Sequence, residues 1–484
     1  MKILLAVINA KWVHPSLALR LLKANLGEYE AGAEIIEFTL RQSFEEKRAA
    51  VLAADPRVLG VSVSIWNHLP TLELLKGLET AWTARGQKPA VVLGGPEVSW
   101  LPSGSELFRY ADFVIQGEGE IAFRELCRTL FAGDASFPAV PGTAGPRFID
   151  GVSAPPETLK TAYHYYTARD LGQKLTYVEA SRGCPHRCAF CLGSASPVSG
   201  GAVREFPLEP FLREMDALIA RGARNFKFLD RTFNYHPERA GVIMEFFLKR
   251  TMLLRASDPG DMLRVHFEIT PAPLPRAIRE ILARFPPGTL RLEVGIQTFN
   301  TKTAVLIRRP LDVNSIAETL AFLSGSTNAI IHADLIAALP GEGLESFGAG
   351  FDKLWIALTA DNPPGKAEIQ VGILKLLPGA AVLRRSDQYG MKYAALPPYE
   401  ALETAALTRE ELNRIKNFAR FWELIVNRDT FPDLAPVLVP KGEAVFSRFM
   451  GIAGRLFARF GRNWGLDRRE LRAALAEEAS GPRA

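Results

Sequence analysis

Short apolar runs alternate with longer stretches of helical apolar spacing over the first third of the chain. The short runs predict buried strands, and the longer stretches predict amphipathic helices. The predicted strands are Lys2–Ile8, Glu34–Phe38, Val58–Val63, Ala90–Leu93 and Phe113–Ile115. The predicted helices are Ser16–Leu26, Phe44–Ala54, Thr71–Arg85, Gly104–Tyr110 and Ile121–Leu130. Strand–helix units in series predict a doubly wound parallel sheet over residues 1–132, with a ligand site beyond the carboxyl ends of the strands.

A Pro/Gly-rich stretch from Gly133 to Pro156 interrupts the alternation and predicts a linker, placed at residues 133–170. From Leu175 the alternation resumes. The predicted strands of this second series are Leu175–Ala180, Asn225–Leu229, Arg264–Ile269, Arg291–Ile296, Ala329–Ile336 and Glu368–Leu374. The predicted helices are Pro207–Ala220, Arg239–Arg250, Leu274–Ala283, Ser315–Leu323 and Leu344–Ala360. The units are too few for a closed eight-fold barrel, so we predict an open (βα)6 barrel over residues 171–385.

The pattern changes after Pro397, where no further strand is predicted. Apolar residues at helical spacing predict helices at Thr408–Val426, Ala444–Phe460 and Arg468–Glu478. We therefore expect a mainly helical C-terminal region over residues 386–484.

Composition limits the class of protein that these elements can form. Of the 484 residues, 48% are apolar and 23% are charged, so the chain can bury ordinary cores. The apolar start at Met1–Ile8 is too short for a signal peptide, and no run approaches the roughly 18 apolar residues of a membrane helix. We therefore expect a cytoplasmic protein with no membrane partner.

The net charge of +5 is small for this length, and it permits an acidic substrate or a nucleic acid without favouring either. The most basic segment is Arg455–Arg472, where Glu470 stands among the arginines and Glu477 and Glu478 follow. This mixture predicts a solvated helix face, and we expect no nucleic-acid partner.

Three of the four cysteines, Cys184, Cys188 and Cys191, have the spacing C-x3-C-x2-C directly after a predicted strand. Clustered thiols in a chain without an export signal predict a metal site. Three thiolates on one loop suit an iron–sulfur cubane whose fourth iron keeps an open position for an exogenous amine and carboxylate. Zinc is the alternative, but its fourth ligand would have to be His186, in the same tight loop. Cys127 lies in an amphipathic helical pattern and is expected in the core.

The segment Gly183–Cys191, with Phe190 before the last cysteine, resembles the C-x3-C-x-aromatic-C signature of the radical S-adenosylmethionine (SAM) superfamily. The resemblance extends from Leu175 to about Leu374 and implies a [4Fe–4S] cluster that binds SAM. It further implies cleavage of SAM to a 5′-deoxyadenosyl radical, hydrogen abstraction from a substrate, and an external reductant such as a flavodoxin or a ferredoxin. The cofactors would carry this chemistry, while the protein positions them.

The same resemblance implies SAM-binding roles for polar residues at predicted strand ends. They are Asp230 near the amino group, Glu268 at the ribose, Gln297 at the ribose or carboxylate, and Arg309 at the carboxylate. Arg308 is the alternative to Arg309 if the register differs. Each of these residues could instead be a solvated loop residue or a cap. His332 is expected to be a packed strand residue, and Asp334 and Pro340–Glu342 mark later strand ends.

A doubly wound domain ahead of a radical barrel resembles the cobalamin-binding module of the same superfamily. Three loops carry this resemblance, because small residues after strands let the backbone approach a bulky nucleotide tail. The residues expected to contact cobalamin are Ser62, Ser64, Gly94, Gly95, Pro96, Glu97, Gly117, Glu118, Gly119 and Glu120. Residues 1–132 are thus identified as a Rossmann-like (flavodoxin-like) cobalamin-binding domain.

The loop after the first predicted strand, Asn9–Ser16, departs from the D-x-H-x-x-G motif whose histidine binds cobalt in one class of cobalamin domains. We therefore expect cobalamin to bind without a protein histidine on cobalt. His14 remains the alternative ligand. The other interpretation of His14 is a role at the entry to the first helix, beside Pro15 and Ser16.

The segments Asn9–Arg20, Gly94–Ser99 and Pro397–Glu400 also resemble a cobalamin-type radical SAM subgroup with a distinct C-terminal region. That resemblance brings no substrate with it. The pairing of two cofactor modules favours a methyltransferase acting on an unactivated carbon of an unknown small-molecule or peptide substrate. Three alternatives stay open: cobalamin-dependent rearrangement, cyclisation or oxidation without methyl transfer; a radical SAM enzyme whose first domain no longer binds cobalamin; and a non-enzymatic iron–sulfur electron-transfer or scaffold protein.

Overall fold

A computed structural model describes residues 2–132, 145–193, 201–271, 273–359 and 366–480. Part of the predicted linker, residues 133–144, and the predicted helix end at Ala360 therefore lie outside the described residues. The strands are β1 Ile3–Asn9, β2 Ala33–Thr39, β3 Val58–Ser62, β4 Ala90–Gly94, β5 Phe113–Gln116, β6 Arg147–Asp150, β7 Thr176–Val178, β8 Ser181–Arg182, β9 Arg204–Glu205, β10 Asn225–Phe228, β11 Arg264–Ile269, β12 Leu290–Gln297, β13 Ile330–Ala337, β14 Ala367–Ile373, β15 Lys392–Tyr393 and β16 Ala401–Glu403.

The helices include the predicted ones, in their predicted order apart from Gly104–Tyr110, and three short helices that the sequence did not predict, at Ala168–Gln173, Thr301–Leu306 and Ala435–Leu438. They are α1 Leu17–Ala24, α2 Phe44–Ala54, α3 His68–Arg85, α4 Glu120–Ala132, α5 Ala168–Gln173, α6 Leu208–Ala220, α7 Pro237–Ser257, α8 Arg276–Arg284, α9 Thr301–Leu306, α10 Val313–Ser326, α11 Leu344–Thr359, α12 Arg409–Trp422, α13 Ala435–Leu438, α14 Phe446–Phe460 and α15 Arg468–Ser480. The segment predicted as a helix at Gly104–Tyr110 forms only a 3-10 helix at Glu106–Tyr110.

The chain divides into two compact units. The first contains Met1–Pro185, Leu192–Leu229 and Leu396–Pro398. The second contains His186–Cys191, Asp230–Ala395 and Tyr399–Ala484.

The first unit is built on a parallel sheet with the strand order β2-β1-β3-β4-β5-β6. Every residue of β1 is buried. Because successive side chains of a strand point to opposite faces, Leu4, Ala6 and Ile8 enter one core and Ile3, Leu5 and Val7 enter the other. Helices α2 and α3 cover the first of these faces, and α1 and α4 cover the second. The predicted doubly wound sheet is confirmed.

Strand β6 is a finding that the sequence pattern missed. It lies in the range predicted as linker and pairs in parallel with β5, from Phe113 opposite Arg147 to Gln116 opposite Asp150. Three of its four residues are exposed. An edge strand of this length and polarity has no apolar run, so it resembles a loop in sequence.

The second sheet has six strands, as predicted. In the first unit β10 pairs in parallel with β7, and in the second unit β11, β12, β13 and β14 pair in parallel in that order. Fully buried residues alternate with half-buried ones along β12 and β13. Most of the half-buried positions carry polar side chains, namely Arg291, Glu293, Gln297, His332 and Asp334.

The C-terminal region is mainly helical, as expected, but the prediction that strands end at Pro397 is wrong. Strand β16 pairs antiparallel with β15. These strands are too short to produce a pattern of alternation. Among the helices, Phe351 of α11 packs against Phe418 and Trp422 of α12 and Phe446 of α14. Among the residues described, no helix is long and apolar enough to cross a membrane.

Candidate functional site

The loop after β3 is held by one buried amide. Asn67, which is fully buried, accepts a hydrogen bond from the Ser64 backbone N–H at 2.7 Å. Its Nδ2 donates to the carbonyls of Ile8 at 2.9 Å and of Ser62 at 3.2 Å. The ends of β1 and β3 are therefore fixed together. Sequence reasoning missed Asn67; the only available signal was an amide close behind a buried strand.

The loop after β4 depends on Gly95. Its φ is +104°, and a Cβ there would lie 2.5 Å from the Val63 carbonyl oxygen, so only glycine fits. The backbone N–H of Val63 donates to Gly94 O at 2.8 Å. The Glu97 carboxylate, in contrast, is buried and hydrogen-bonded to His68 Nδ1 at 2.8 Å.

The loop after β5 joins the same edge of the sheet. Ser99 Oγ accepts a hydrogen bond from the Gly117 N–H at 3.0 Å and donates to Gly95 O at 3.0 Å. The carboxylates of Glu118 and Glu120 both form ion pairs with Arg182. The structure thus brings the three predicted loops together, with Pro96 and Gly119 within them, while the three glutamates are bonded to other side chains of the protein.

Two exposed tryptophans lie beside these loops, and neither was selected from the sequence. Trp66 follows β3, is 48% exposed, and donates its indole N–H to Ile8 O at 3.3 Å. Trp12 follows β1, is 44% exposed, and lies under the cationic groups of Arg169 and Lys174. An aromatic residue in an otherwise polar loop was the available signal.

His14 is bonded within the first unit. Its Nδ1 lies 2.7 Å from the Tyr177 hydroxyl. Burial and the nearby Lys11 lower the pKa of His14, which keeps the imidazole neutral. Ser16 caps α1 by accepting a hydrogen bond from the Leu19 N–H. The helix-entry interpretation of this segment therefore describes Ser16, while His14 contacts Tyr177.

The cysteine loop begins at a residue that must be glycine. The φ of Gly183 is +95°, and a Cβ there would lie 2.1 Å from Ala202 O. The Cys184 N–H donates to Gly201 O. None of Cys127, Cys184, Cys188 and Cys191 forms a disulfide. Cys127 is fully buried, and burial raises its pKa to about 12, so the expectation that it is a core residue is confirmed.

In the second unit the loop is fixed through Ala189, whose N–H donates to Ile307 O at 2.8 Å. Its carbonyl accepts from Val382 at 2.8 Å. The described residues contain no ready-made group of three or more His, Cys, Asp or Glu side chains placed to hold a metal ion. The three thiols and their spacing are therefore the features that indicate a cluster.

Arg309 contacts the cysteine loop, and Gln297 lies near the same glycine, Gly295, as Arg309. Arg309 Nη1 lies 3.6 Å from Cys188 Sγ, and Nη2 donates to Gly295 O. A Cβ on Gly295 would lie 2.7 Å from Gln297 Nε2 and 3.4 Å from Arg309 Nη2. Gln297 has φ +75°, which a residue with a side chain rarely adopts. The register alternative, Arg308, is exposed, so the geometry favours Arg309.

Three predicted site residues remain, Asp230, Glu268 and Phe190, and they differ in how far they are buried. Asp230 is 2% exposed and lies just beyond β10. Glu268 is half-buried on β11, and its carbonyl accepts a hydrogen bond from Phe233 N–H at 2.9 Å. Phe190 is half-buried in the cysteine loop. Glu268 is in register with Glu293, and Glu293 with His332, so these polar residues form one row across the strands.

His332 is a member of a charged network rather than a simple packed residue. Its Nδ1 lies 2.9 Å from Glu368 Oε2, and its Nε2 lies 2.8 Å from Gln370 Oε1. Arg291 Nη2 lies 2.6 Å from Glu368. Burial alone would lower the pKa of His332, but contacts with Asp334 and Glu368 outweigh it and raise the pKa to about 10. His332 is thus a cation at neutral pH.

Glu342, just after β13, is a buried carboxyl that the sequence marked only as a strand end. It is 1% exposed, accepts a hydrogen bond from Thr298 Oγ1 at 2.8 Å, and has one oxygen without a partner. Burial raises its pKa to about 7, against the opposing hydrogen bonds from Thr298 and Ser346. Such a group can hold a proton at neutral pH.

The two sheets and their loops correspond to two known families. Residues 3–127 match the B12 binding domain, and residues 178–354 match the radical SAM superfamily. Residues 387–461 match a third family, described as "Protein of unknown function (DUF4080)". The molecule is therefore an α/β protein with a B12 binding domain ahead of a radical SAM domain. The resemblance to the radical SAM superfamily and to its cobalamin-binding module, identified from the sequence, is confirmed by these two domains.

Curated relatives include two methyltransferases. The chain is 29% identical over 358 residues to the cobalamin-dependent radical SAM methyltransferase TokK of Streptomyces tokunonensis, covering 70% of this chain and 50% of TokK. It is 26% identical over 346 residues to the 2-(S-pantetheinyl)-carbapenam-3-carboxylate methyltransferase of Streptantibioticus cattleyicolor, covering 67% and 48%. The chain spans about half the length of these relatives.

Solved structures share the fold over most of the chain. OxsB, a cobalamin-dependent SAM radical enzyme, superposes with a TM-score of 0.63 and 12% identity, covering 99% of this chain and 78% of OxsB. TsrM, a radical SAM methyltransferase from Kitasatospora setae, has a TM-score of 0.60 and 18% identity, covering 82% and 80%. The predicted fold class is confirmed.

Proposed function

We propose that this chain is a cobalamin-dependent radical SAM methyltransferase that modifies a carbon atom of a small-molecule or peptide substrate, with electrons from a flavodoxin- or ferredoxin-type reductant. The observation that carries the proposal is the combination, in one chain, of a B12 binding domain with a radical SAM domain whose three clustered cysteines form no disulfide. The methyltransferase names of two curated relatives support methyl transfer as the outcome.

Cys184, Cys188 and Cys191 would hold a [4Fe–4S] cluster. Their donor set fits, because three thiolates leave one iron open for SAM. A structural zinc site would need a fourth ligand. The Arg309 guanidinium near Cys188 places positive charge beside a sulfur that must be deprotonated to bind iron.

Arg309, Gln297, Glu268 and Asp230 would bind SAM. A guanidinium matches a carboxylate in shape and charge, so Arg309 is suited to the SAM carboxylate. The half-buried carboxylate of Glu268 can accept hydrogen bonds from ribose hydroxyls, and the buried Asp230 can accept from an ammonium group. When bound, the cluster and SAM would supply radical chemistry, and cobalamin would supply a methyl carrier.

Cobalamin would bind at the edge formed by the loops after β3, β4 and β5. Gly95 and Gly117 have positive φ angles and bring backbone close to the site, and the Ser62 and Ser64 hydroxyls can bond the nucleotide tail. Since the carboxylates of Glu97, Glu118 and Glu120 are bonded to the protein, we infer that these loops contact cobalamin mainly through backbone. The contact between His14 and Tyr177 supports binding without a histidine on cobalt.

The first experiment measures both metals. The full chain is purified without oxygen, its cluster is reconstituted, hydroxocobalamin is added, and iron and cobalt per chain are determined after desalting. We expect about four irons and cobalt near one per chain. Cys184→Ala, Cys188→Ala and Cys191→Ala should lose iron, whereas Cys127→Ala, in the core, should keep it. Iron without cobalt would contradict the cobalamin site.

Methyl transfer is tested with SAM that carries a deuterated methyl group. Under reducing conditions we expect the label in the corrinoid fraction of the wild-type protein. Formation of 5′-deoxyadenosine without any transfer of the label would contradict methylation and favour rearrangement, cyclisation or oxidation.

A further inference from the structure

Two loops that the proposed function assigns to different cofactors are joined by ion pairs within the first unit. Arg182 lies two residues before Cys184, and Glu118 and Glu120 lie in the loop after β5. The distances from the Arg182 guanidinium are 3.2 Å to Glu118 and 2.7 Å to Glu120. It also lies 2.7 Å from Glu179. One guanidinium therefore connects three carboxylates.

A second arginine reaches the same loop from the far side of the cysteine segment. Strands β8 and β9 form an antiparallel ribbon in which Arg182 and Arg204 stand opposite each other. Arg204 pairs with Glu118 and donates to Ala154 O at 2.7 Å. In sequence, β8 precedes Cys184 and β9 follows Cys191, so these two strands enclose the cysteine segment. Glu118 is bonded to an arginine on each of them. We call Glu118, Glu120, Glu179, Arg182 and Arg204 the arginine bridge.

The arginine bridge is largely shielded from water, and its anchor is held by backbone contacts. Its side chains are between 9% and 19% exposed. Charge pairs shielded from water hold their geometry tightly, because separating them leaves an unpaired buried charge. The backbone of Glu118 is also fixed: its carbonyl accepts from Val152 N–H at 3.1 Å, and a Cβ on Gly151 would lie 2.3 Å from it.

We propose that the arginine bridge couples cobalamin binding to the cluster, with Arg182 as a positioning residue that links the Gly117–Glu120 loop to Cys184. This inference rests on the proposed function. A loop held by cobalamin would fix Arg182 and, through it, the start of the cysteine loop. Because coupling between two binding sites is reciprocal, the cluster would in turn raise the affinity for cobalamin by the same factor.

Titration of the full chain with hydroxocobalamin, before and after cluster reconstitution, measures the coupling. In the wild type we expect cluster assembly to tighten binding by about fivefold or more, the usual range for coupled sites. In Arg182→Gln the ratio of the two affinities should fall to near one, while both cofactors still bind. Arg128→Gln is the matched control, because it removes an exposed pair with Glu125 in the same unit and should keep the wild-type ratio.

Hydrogen exchange reports on the loop directly. Cluster assembly should slow exchange of the backbone N–H groups of residues 117–120 in the wild type and leave it unchanged in Arg182→Gln. If Arg182→Gln fails to fold, Arg204→Gln keeps the three contacts of Arg182 and should reduce the ratio in part. A wild-type ratio of one, or an unreduced ratio in the folded variants, overturns the inference. A wild-type chain that binds neither iron nor cobalt gives a different result, which overturns the proposed function and the coupling together.

Discussion

Single residues with one permitted backbone conformation shape the predicted cofactor loops. Gly95 joins the loop after β4 to Val63 by close backbone approach. Gly183 does the same for the cysteine loop against Ala202. At both positions a methyl group would meet backbone oxygen, which cannot turn aside as a side-chain end can.

Gly95→Ala should destabilise the protein by about 1–3 kcal/mol, because it combines a left-handed φ with a backbone clash. It should also weaken hydroxocobalamin binding, since the loops after β3 and β4 would separate. Denaturant unfolding and a cobalamin titration measure the two effects. Gly104→Ala is the control, as a Cβ there meets nothing within 4 Å. Equal stability of the two variants would contradict this account of the loop.

Glu342 predicts a pH dependence of stability. Its ordinary pKa is 4.5, and burial raises it to about 7 in the folded protein, so the folded state binds the proton more tightly. The contribution of Glu342 to the free energy of unfolding is therefore complete below pH 4.5. It falls by about 3 kcal/mol as the pH rises to about 7. Glu342→Gln should remove that decline and be the more stable form at pH 8. Denaturant unfolding from pH 4 to 8 measures it, with the exposed Glu345→Gln as control; parallel curves for Glu342→Gln and the wild type would contradict it.

Elements whose identity depends on local sequence were predicted closely, whereas contacts between distant segments were not. Helix α2 begins and ends as predicted, because Ser43 and Glu46 form a capping box ahead of it. Strand β11 also has its predicted limits. Strand β6 was missed because it is short, polar and stable only through its pairing with β5.

The candidate site shows the same division. The cysteine motif and the strand-end glycines are local patterns, and the sequence located them. The partners of Glu118 and Glu120 could not be found, because Arg182 lies 64 and 62 positions away. The partners of His332 on β14, Glu368 and Gln370, are 36 and 38 positions away, and only the strand register brings them together.

The network across β12, β13 and β14 predicts a second pH dependence in the same direction, at higher pH, in which the stabilising protonated form is a cation. Since the pKa of His332 is raised from 6.5 to about 10, its stabilising contribution is complete below pH 6.5 and is lost as the pH rises toward 10. His332→Gln should therefore be clearly less stable than the wild type at pH 6, with a difference that shrinks by pH 10. Denaturant unfolding measures this, with His164→Gln, which replaces an exposed histidine, as the control. A difference that does not change with pH would contradict a charged His332.

At the scale of the whole molecule, the chain has three consecutive parts, each matching a different family. The C-terminal part is joined to the second sheet through Asn427, whose side chain bonds both the N–H and the carbonyl of Ile369 in β14. This amide satisfies backbone groups of the last strand of the sheet, where unpaired groups would otherwise face outward. The C-terminal region therefore covers the edge of the second sheet at Ile369.

Strand β6 also determines where the first part can be cut. A fragment ending at residue 132 would keep all the apolar strands, yet the backbone of β5 would lose the partner that it has from Phe113 to Gln116. An uncovered strand edge recruits strands from other molecules. Proteolysis in the Pro/Gly-rich stretch before β6 would thus release a self-associating fragment. A fragment that retains Arg147–Asp150 would instead keep β5 covered by a short, charged edge strand, which opposes aggregation.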